Sequence, residues 1–109
     1  MKILILPVLT IAMVISAQTK QTFTGVITDS MCANADHASM RMGPTNAECT
    51  VACVMVHDAS YVLFDGQHAY VLSDQKTPEK FAGQKVKVVG TLDAKSHHTI
   101  KMESIAAAK

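Results

Sequence analysis

The residues most capable of chemistry lie in one stretch of the chain, between Asp29 and His57. This stretch contains all three cysteines, which are Cys32, Cys49 and Cys53, and two of the five histidines. Thiolate and imidazole groups are ligands for zinc and copper, and thiols of exported proteins also form disulfides. The composition therefore predicts a metal site, a disulfide or thiol redox chemistry here.

The metal hypothesis assigns four ligands, which are Cys32, His37, Cys49 and Cys53. Because Cys49 and Cys53 are four residues apart, a helix would present both sulfurs on one face. Cys32 and His37 would approach from the preceding loop, and His57 is an alternative to His37 as the fourth ligand. Three sulfurs and one imidazole suit tetrahedral zinc. The methionines of this stretch favour Cu(I), because thioether and thiolate are both soft ligands.

Two other hypotheses use the same cysteines. A disulfide from Cys32 to Cys49 or Cys53 would close a loop of about 17 or 21 residues, stabilise the fold by roughly 3 kcal/mol, and leave one thiol over. Such a stapled module would bind a protein or an envelope component through its barrel surface. A thiol–disulfide oxidoreductase is the third hypothesis, in which the start of a helix would lower the pKa of Cys49. No thioredoxin-like βαβ pattern accompanies it.

The remaining polar residues form no catalytic pattern, so an enzyme is not predicted. The chain shows no Ser-His-Asp order, no paired carboxylates and no phosphate-binding loop. His97 and His98 would point to opposite faces of a strand or lie in a solvated turn. Met40 and Met42 are expected to pack on the barrel from their loop, with a thioether pair as the alternative. Asp29 and Asp36 are expected to cap the loop that contains Cys32.

A helix and several strands must position these residues. The pattern Thr45-x-x-Glu48 is a capping box, which predicts a helix from about Asn46 to about Val56. Alternating or apolar runs predict five strands, and these are 22–28, 61–64, 68–72, 85–92 and 98–102. The dipeptide Asp65-Gly66 predicts a hairpin between the second and third strands. The tail after Ile105 is expected to be loose.

The predicted fold is mainly β with one helix. Small antiparallel chains commonly close into a barrel, because closure removes the exposed edges of the sheet. We therefore expect a small antiparallel OB-like barrel in which the helix is inserted between strands 1 and 2.

The beginning of the chain predicts export. Lys2 precedes an apolar run, Ile3–Ile15, and the small residues Ser16 and Ala17 suit cleavage by signal peptidase. Because the run is short for a membrane span, residues 1–17 are interpreted as a signal peptide and residues 18–109 as one small domain. The domain is expected in the periplasm or outside the cell, with no membrane insertion after cleavage.

The charge of the mature chain excludes one class of partner. The full chain has ten Lys plus Arg against nine Asp plus Glu, and loss of Lys2 leaves nine against nine. A balanced surface gives no basis for nucleic-acid binding. A metal ion or an unidentified protein is therefore the expected partner.

Four segments together resemble a family of small exported bacterial proteins. They are Gly25-Val-Ile-Thr-Asp-Ser-Met-Cys32, Cys49-x-x-x-Cys53, Tyr61-Val-Leu and Gly83-Gln-Lys-Val-Lys-Val-Val-Gly-Thr-Leu. The distinctive part is the D-S-x-C segment followed by C-x-x-x-C. The resemblance covers nearly the whole mature chain and implies export and a compact β fold, but no particular activity.

Overall fold

The computed structural model describes residues 2–5, 7–8 and 19–108. Most of the predicted signal peptide, including its cleavage point after Ala17, lies outside the described residues. In chain order the elements are β1 (Gln21–Asp29), the 3-10 turn η1 (Ser30–Cys32), α1 (Asn46–His57), β2 (Tyr61–Phe64), β3 (Ala69–Leu72), the 3-10 turn η2 (Thr77–Phe81), β4 (Lys85–Leu92) and β5 (Thr99–Ala107). A mainly β fold whose helix follows the first strand is therefore confirmed. Within the described ranges, no helix combines the length and apolar character needed to cross a membrane.

The five strands form one closed sheet. Their hydrogen-bonded order is β1-β2-β3-β5-β4, and β4 pairs with β1 to close the ring as a barrel. The prediction of a wholly antiparallel barrel is wrong, because β3 and β5 run parallel. The physical reason is the odd number of strands in the ring. Strand direction cannot alternate all the way round a ring with an odd number of strands, so one neighbouring pair must be parallel.

The end of the chain is more ordered than predicted. The strand β5 continues to Ala107, which lies opposite Val86 of β4. Beyond it, the amide of Ala108 donates to the carbonyl of Lys85 at 2.9 Å. The expectation of a loose tail after Ile105 is therefore wrong, because a distant strand supplies hydrogen-bond partners for these alanines.

All five strands contribute to the hydrophobic core. Its buried members are Phe23, Ile27, Tyr61, Leu63, Leu72, Val86, Val88 and Ile100. The helix α1 packs against β1, and Val54 reaches this core from the helix. Because apolar burial is the main stabilising contribution to folding, this packing fixes α1 against the strand that leads into the Cys32 turn.

The helix begins at the predicted residue. Thr45 Oγ1 accepts a hydrogen bond from the backbone N–H of Glu48 at 3.1 Å, as an N-cap does. The Glu48 carboxylate accepts from the Thr45 hydroxyl at 3.2 Å instead of reaching the backbone amide of a capping box. The cap sets the start of α1, and with it the positions of Cys49 and Cys53.

Candidate metal centre

The end of β1 is shaped by a buried aspartate. Asp29 is 0% exposed, and its Oδ1 accepts from the backbone N–H groups of Met31 and Cys32, both at 3.0 Å. The neighbouring Thr28 hydroxyl donates to the carbonyl of Cys32 at 2.8 Å. These bonds explain why the D-S-x-C segment folds as a tight turn, since side chains of β1 satisfy the backbone of the turn. The predicted capping role of Asp29 is confirmed.

The loop after this turn places His37 against the same residues. Its side chain is 2% exposed, and its Nε2 lies 3.4 Å from Thr28 Oγ1. Because the single hydroxyl hydrogen of Thr28 is already donated to Cys32, the threonine oxygen must accept from His37. If the imidazole carries a single hydrogen, this contact assigns it to Nε2 and leaves a lone pair on Nδ1.

In that tautomer, two buried acceptor atoms face each other without a donor. Asp29 Oδ2 and His37 Nδ1 are 4.0 Å apart, and neither has a hydrogen-bond partner among the described residues. Leaving a buried polar atom unpaired costs about 1–3 kcal/mol. The separation is too long for a direct hydrogen bond, but a tetrahedral zinc ion with bonds of 2.0–2.1 Å holds its ligand atoms only about 3.4 Å apart. A small contraction around a cation would therefore satisfy both atoms.

Cys32 completes a compact group with these two residues. The ligand atoms of Asp29, Cys32 and His37 all lie within 4.8 Å of one another, and all three residues are buried. Carboxylate oxygen, imidazole nitrogen and thiolate sulfur are each accepted by zinc. The structure thus brings two of the four predicted ligands together and adds Asp29, which the prediction did not include among the ligands.

The other two predicted ligands lie on the buried side of α1, beside this group. Cys49 and Cys53 are both buried. The Cys49 sulfur accepts from the backbone N–H of Met42 at 3.3 Å, and its thiol donates to the carbonyl of Met40 at 3.4 Å. Cys53 lies close enough to Cys49 to interact with it electrostatically. Cys49 therefore ties the loop that contains His37 to the helix.

The environment of the thiols favours their protonated form. Burial, followed by the charge of Asp29 and the proximity of Cys49, raises the pKa of Cys53 from 9.0 to about 11. Burial and the Asp29 charge also raise the pKa of Cys32. A thiol nucleophile needs a lowered pKa, so these two residues are poorly suited to thiol–disulfide exchange. A metal ion would have to displace their protons.

The prediction of a disulfide stays a prediction. All three cysteines lie in the described part of the chain and have free thiols in this structure. His57, the alternative fourth ligand, is exposed in the last turn of α1. Its position gives no reason to prefer it to His37.

A hydroxyl, an imidazole and a carboxylate also follow one another in space here, in Thr28, His37 and Asp29. In hydrolases this order activates the hydroxyl as a nucleophile. Here Thr28 is 0% exposed, and its hydrogen is donated to the carbonyl of Cys32. The hydroxyl is therefore presented to no substrate, and it acts by orienting the imidazole.

Sequence reasoning missed the second oxygen of Asp29 and the role of Thr28. The available signal was the Thr28-Asp29-Ser30 run at the end of a strand, immediately before Cys32. Polar side chains at a strand end favour local caps and turns. What the run does not encode is the approach of His37, which depends on the path of a loop.

Comparisons with known proteins leave this site without a named counterpart. No protein-family model, no curated protein and no solved structure matches the chain. The activity of the site is therefore inferred from its own donor atoms.

Proposed function

We propose that the protein is an exported metal-binding protein. Its ion is held by Asp29, Cys32 and His37, and Cys49 and Cys53 supply further sulfur. One observation carries the proposal. The buried acceptors Asp29 Oδ2 and His37 Nδ1 face each other at 4.0 Å without a donor. A cation between them would offset the cost of burying both.

The donor set selects the class of ion. Calcium and magnesium require oxygen ligands almost exclusively, whereas this group offers one carboxylate, one imidazole and a thiol. Zinc accepts all three donor types. Cu(I) prefers sulfur and would draw chiefly on Cys32, Cys49 and Cys53. Copper or zinc is therefore the proposed ligand.

Metal titration of the reduced protein tests this proposal directly. Zn(II) and Cu(I) are added in competition with a coloured chelator, and the matched variants are His37→Gln and His98→Gln. His37 is buried in the cluster, whereas His98 is exposed before β5. We expect the His37 variant to lose at least about tenfold in affinity, since even indirect ligand support is worth that much. Equal affinities for the two variants, or a parent protein that binds neither ion, would contradict the proposal.

A second candidate uses the cysteines without a metal. Cys32 interacts electrostatically with Cys49 and with Cys53, and this proximity supports a disulfide-stapled barrel module that binds a protein or an envelope component. Counting free thiols on protein purified from the exported fraction separates the two functions. One free thiol supports the stapled module, whereas three thiols and a bound ion support the metal site.

The proposal extends to the fold family and the location. The ring order β1-β2-β3-β5-β4 supports an OB-like barrel whose helix is displaced to the first connection. The D-S-x-C and C-x-x-x-C segments support membership of the family of small exported bacterial proteins.

The apolar run before residue 18 supports a periplasmic or secreted domain. The mass of the exported protein tests this location, because a mature chain that retains Lys2 would contradict it.

A further inference from the structure

Three methionines near the metal centre are more exposed than methionine usually is. Met31 is 44% exposed, Met40 is 42% exposed and Met42 is 36% exposed. Methionine is mostly used as an adaptable filler of buried gaps. The expectation that Met40 and Met42 pack on the barrel stays a prediction, and their partial exposure leaves the thioether alternative open.

Met31 lies directly at the turn that holds two proposed ligands. It is adjacent to Cys32, and its backbone N–H donates to Asp29 Oδ1 at 3.0 Å. Its backbone is thus fixed beside the ligands while its side chain reaches solvent.

Met40 and Met42 are fixed to the other ligand residues in the same way. The backbone N–H of Met40 donates to the carbonyl of His37 at 3.3 Å, and its carbonyl accepts from the Cys49 thiol at 3.4 Å. The backbone N–H of Met42 donates to Cys49 Sγ at 3.3 Å. All three methionines are therefore attached through their backbones to residues of the buried cluster.

Thioethers at this position have a specific chemical use. They are soft, neutral ligands that suit Cu(I), and they bind without first losing a proton. The buried thiols bind more strongly but must be deprotonated, and they lie away from solvent. Because Met31, Met40 and Met42 are partly exposed and the thiols are buried, an ion from solution can reach the methionine side chains before the thiols.

We propose that Met31, Met40 and Met42 form an entry site for Cu(I), through which the ion reaches the buried cysteines. This inference rests on the proposed metal function and deepens it by naming Cu(I). Transfer is ligand exchange with no change of oxidation state. Bonds from copper to thioether sulfur break as bonds to the sulfurs of Cys32 and Cys49 form, and the thiol protons pass to the buffer.

The test compares the rates at which the reduced protein takes up two ions. Cu(I) is supplied as its bicinchoninate complex without oxygen, and Zn(II) as the complex of a zinc indicator. One variant carries M31L, M40L and M42L together, and the control is M55L. Met55 is 75% exposed and lines a groove of α1 with Val51 and Ala52. Leucine keeps the size of the side chain but removes the sulfur.

We expect the triple variant to take up Cu(I) roughly tenfold more slowly, a change equivalent to about 1.4 kcal/mol in the barrier. Its final Cu(I) affinity should match that of the parent, because the buried ligands are unchanged. Its Zn(II) uptake should also match, because thioether is not among the usual zinc ligands. The M55L control should match the parent in every measurement.

Each other result has a definite meaning. Equal slowing of Cu(I) and Zn(II) would show a structural effect of the loop and overturn the entry site. Unchanged Cu(I) uptake in the triple variant would also overturn it, while the metal function would stand because the ion still binds. A parent protein that takes up Zn(II) but no Cu(I) would likewise overturn the entry site and leave the metal function standing. Uptake of neither ion would overturn both proposals.

Discussion

Asp29 and Asp74 make the same local hydrogen bonds in opposite environments. Like Asp29, Asp74 uses Oδ1 to accept from the backbone N–H groups two and three residues ahead, here those of Lys76 at 2.8 Å and Thr77 at 3.0 Å. The second oxygen of Asp74 accepts from the Thr77 hydroxyl at 2.6 Å. The second oxygen of Asp29 is buried and has no partner among the described residues. The two sites thus differ at a single oxygen atom and in their burial.

The comparison shows that capping does not require burial. Asp65 and Asp93 cap their turns in the same way as Asp74, each through backbone N–H groups of nearby residues. These bonds lower the pKa of Asp65 and of Asp93. Since three partly or fully exposed aspartates perform the local task, the burial of Asp29 against His37 needs another cause. A bound cation is that cause in the proposed function.

The largest expected effect separates Asp29→Asn from Asp74→Asn in the presence of metal. Binding to the native state alone stabilises it by about 2.7 kcal/mol when the free ion is at a hundredfold excess over Kd. Asp29→Asn keeps a capping oxygen but replaces the ligand oxygen, so most of this gain should be lost. Asp74→Asn should keep it. Thermal unfolding of the reduced variants with and without Zn(II) measures the difference, and equal gains in both would remove Asp29 from the site.

Without metal the same two substitutions should act in opposite directions. In Asp29→Asn the new amide can donate to Nδ1 of His37 once the two side chains move slightly closer than their present 4.0 Å. This bond removes the unpaired acceptors and should stabilise the apo protein by about 1 kcal/mol. In Asp74→Asn the new amide no longer accepts from Thr77 and should destabilise the turn slightly. Urea denaturation in the presence of a chelator measures whether each substitution raises or lowers the free energy of unfolding. Destabilisation by Asp29→Asn under these conditions would show that its carboxylate is structural.

The pH dependence of the apo protein should separate the two regions in a third way. The pKa of Cys53 is raised from 9.0 to about 11 in the folded protein. The unfolded chain therefore releases this proton first as the pH rises, and the folded state loses stability between these two values. Cys53→Ala should reduce this loss of stability at alkaline pH. The measurement is the urea midpoint of unfolding at pH values between the two pKa values. An unchanged alkaline profile in Cys53→Ala would show that another group is responsible.

The smallest effect is expected on the acid side, at the exposed turn. Hydrogen bonds from the Thr77 side chain and backbone lower the pKa of Asp74 below its usual 3.8. This contribution to stability is complete above that usual value and is lost as the pH falls through the lowered one. Asp74→Asn should therefore reduce the acid dependence of the urea midpoint a little. Asp36→Asn serves as a control, because Asp36 lies in an exposed turn of another loop.

Features encoded by neighbouring residues could be predicted from the sequence. The start of α1 follows from the Thr45 cap, and the β2–β3 hairpin follows from Asp65-Gly66, where the structure has Gly66 at a φ of 103°. Capping by Asp29 was predictable for the same reason, since its partners are two and three residues ahead. In each case the deciding interaction spans only a few residues.

Features that depend on distant partners could not be predicted. The extension of β5 to Ala107 depends on Val86, and alanine has little strand preference of its own. The candidate site shows the same limit. Cys32 and His37 were identified from residue type, but the second oxygen of Asp29 becomes a candidate ligand only because the loop returns His37 to the end of β1.

The parallel pairing of β3 with β5 has a consequence for how the barrel opens. This seam is short, with Val71 opposite Thr99 and Leu72 opposite Ile100, whereas β4 pairs with β5 and with β1 over longer runs. In the ring order the seam lies across from β1, the strand that ends at the candidate metal centre. Local opening to solvent should therefore begin at the joint farthest from the ligands. The amide hydrogens of the seam should therefore exchange without opening of the proposed metal site, so local opening of the barrel would not by itself release an ion bound there.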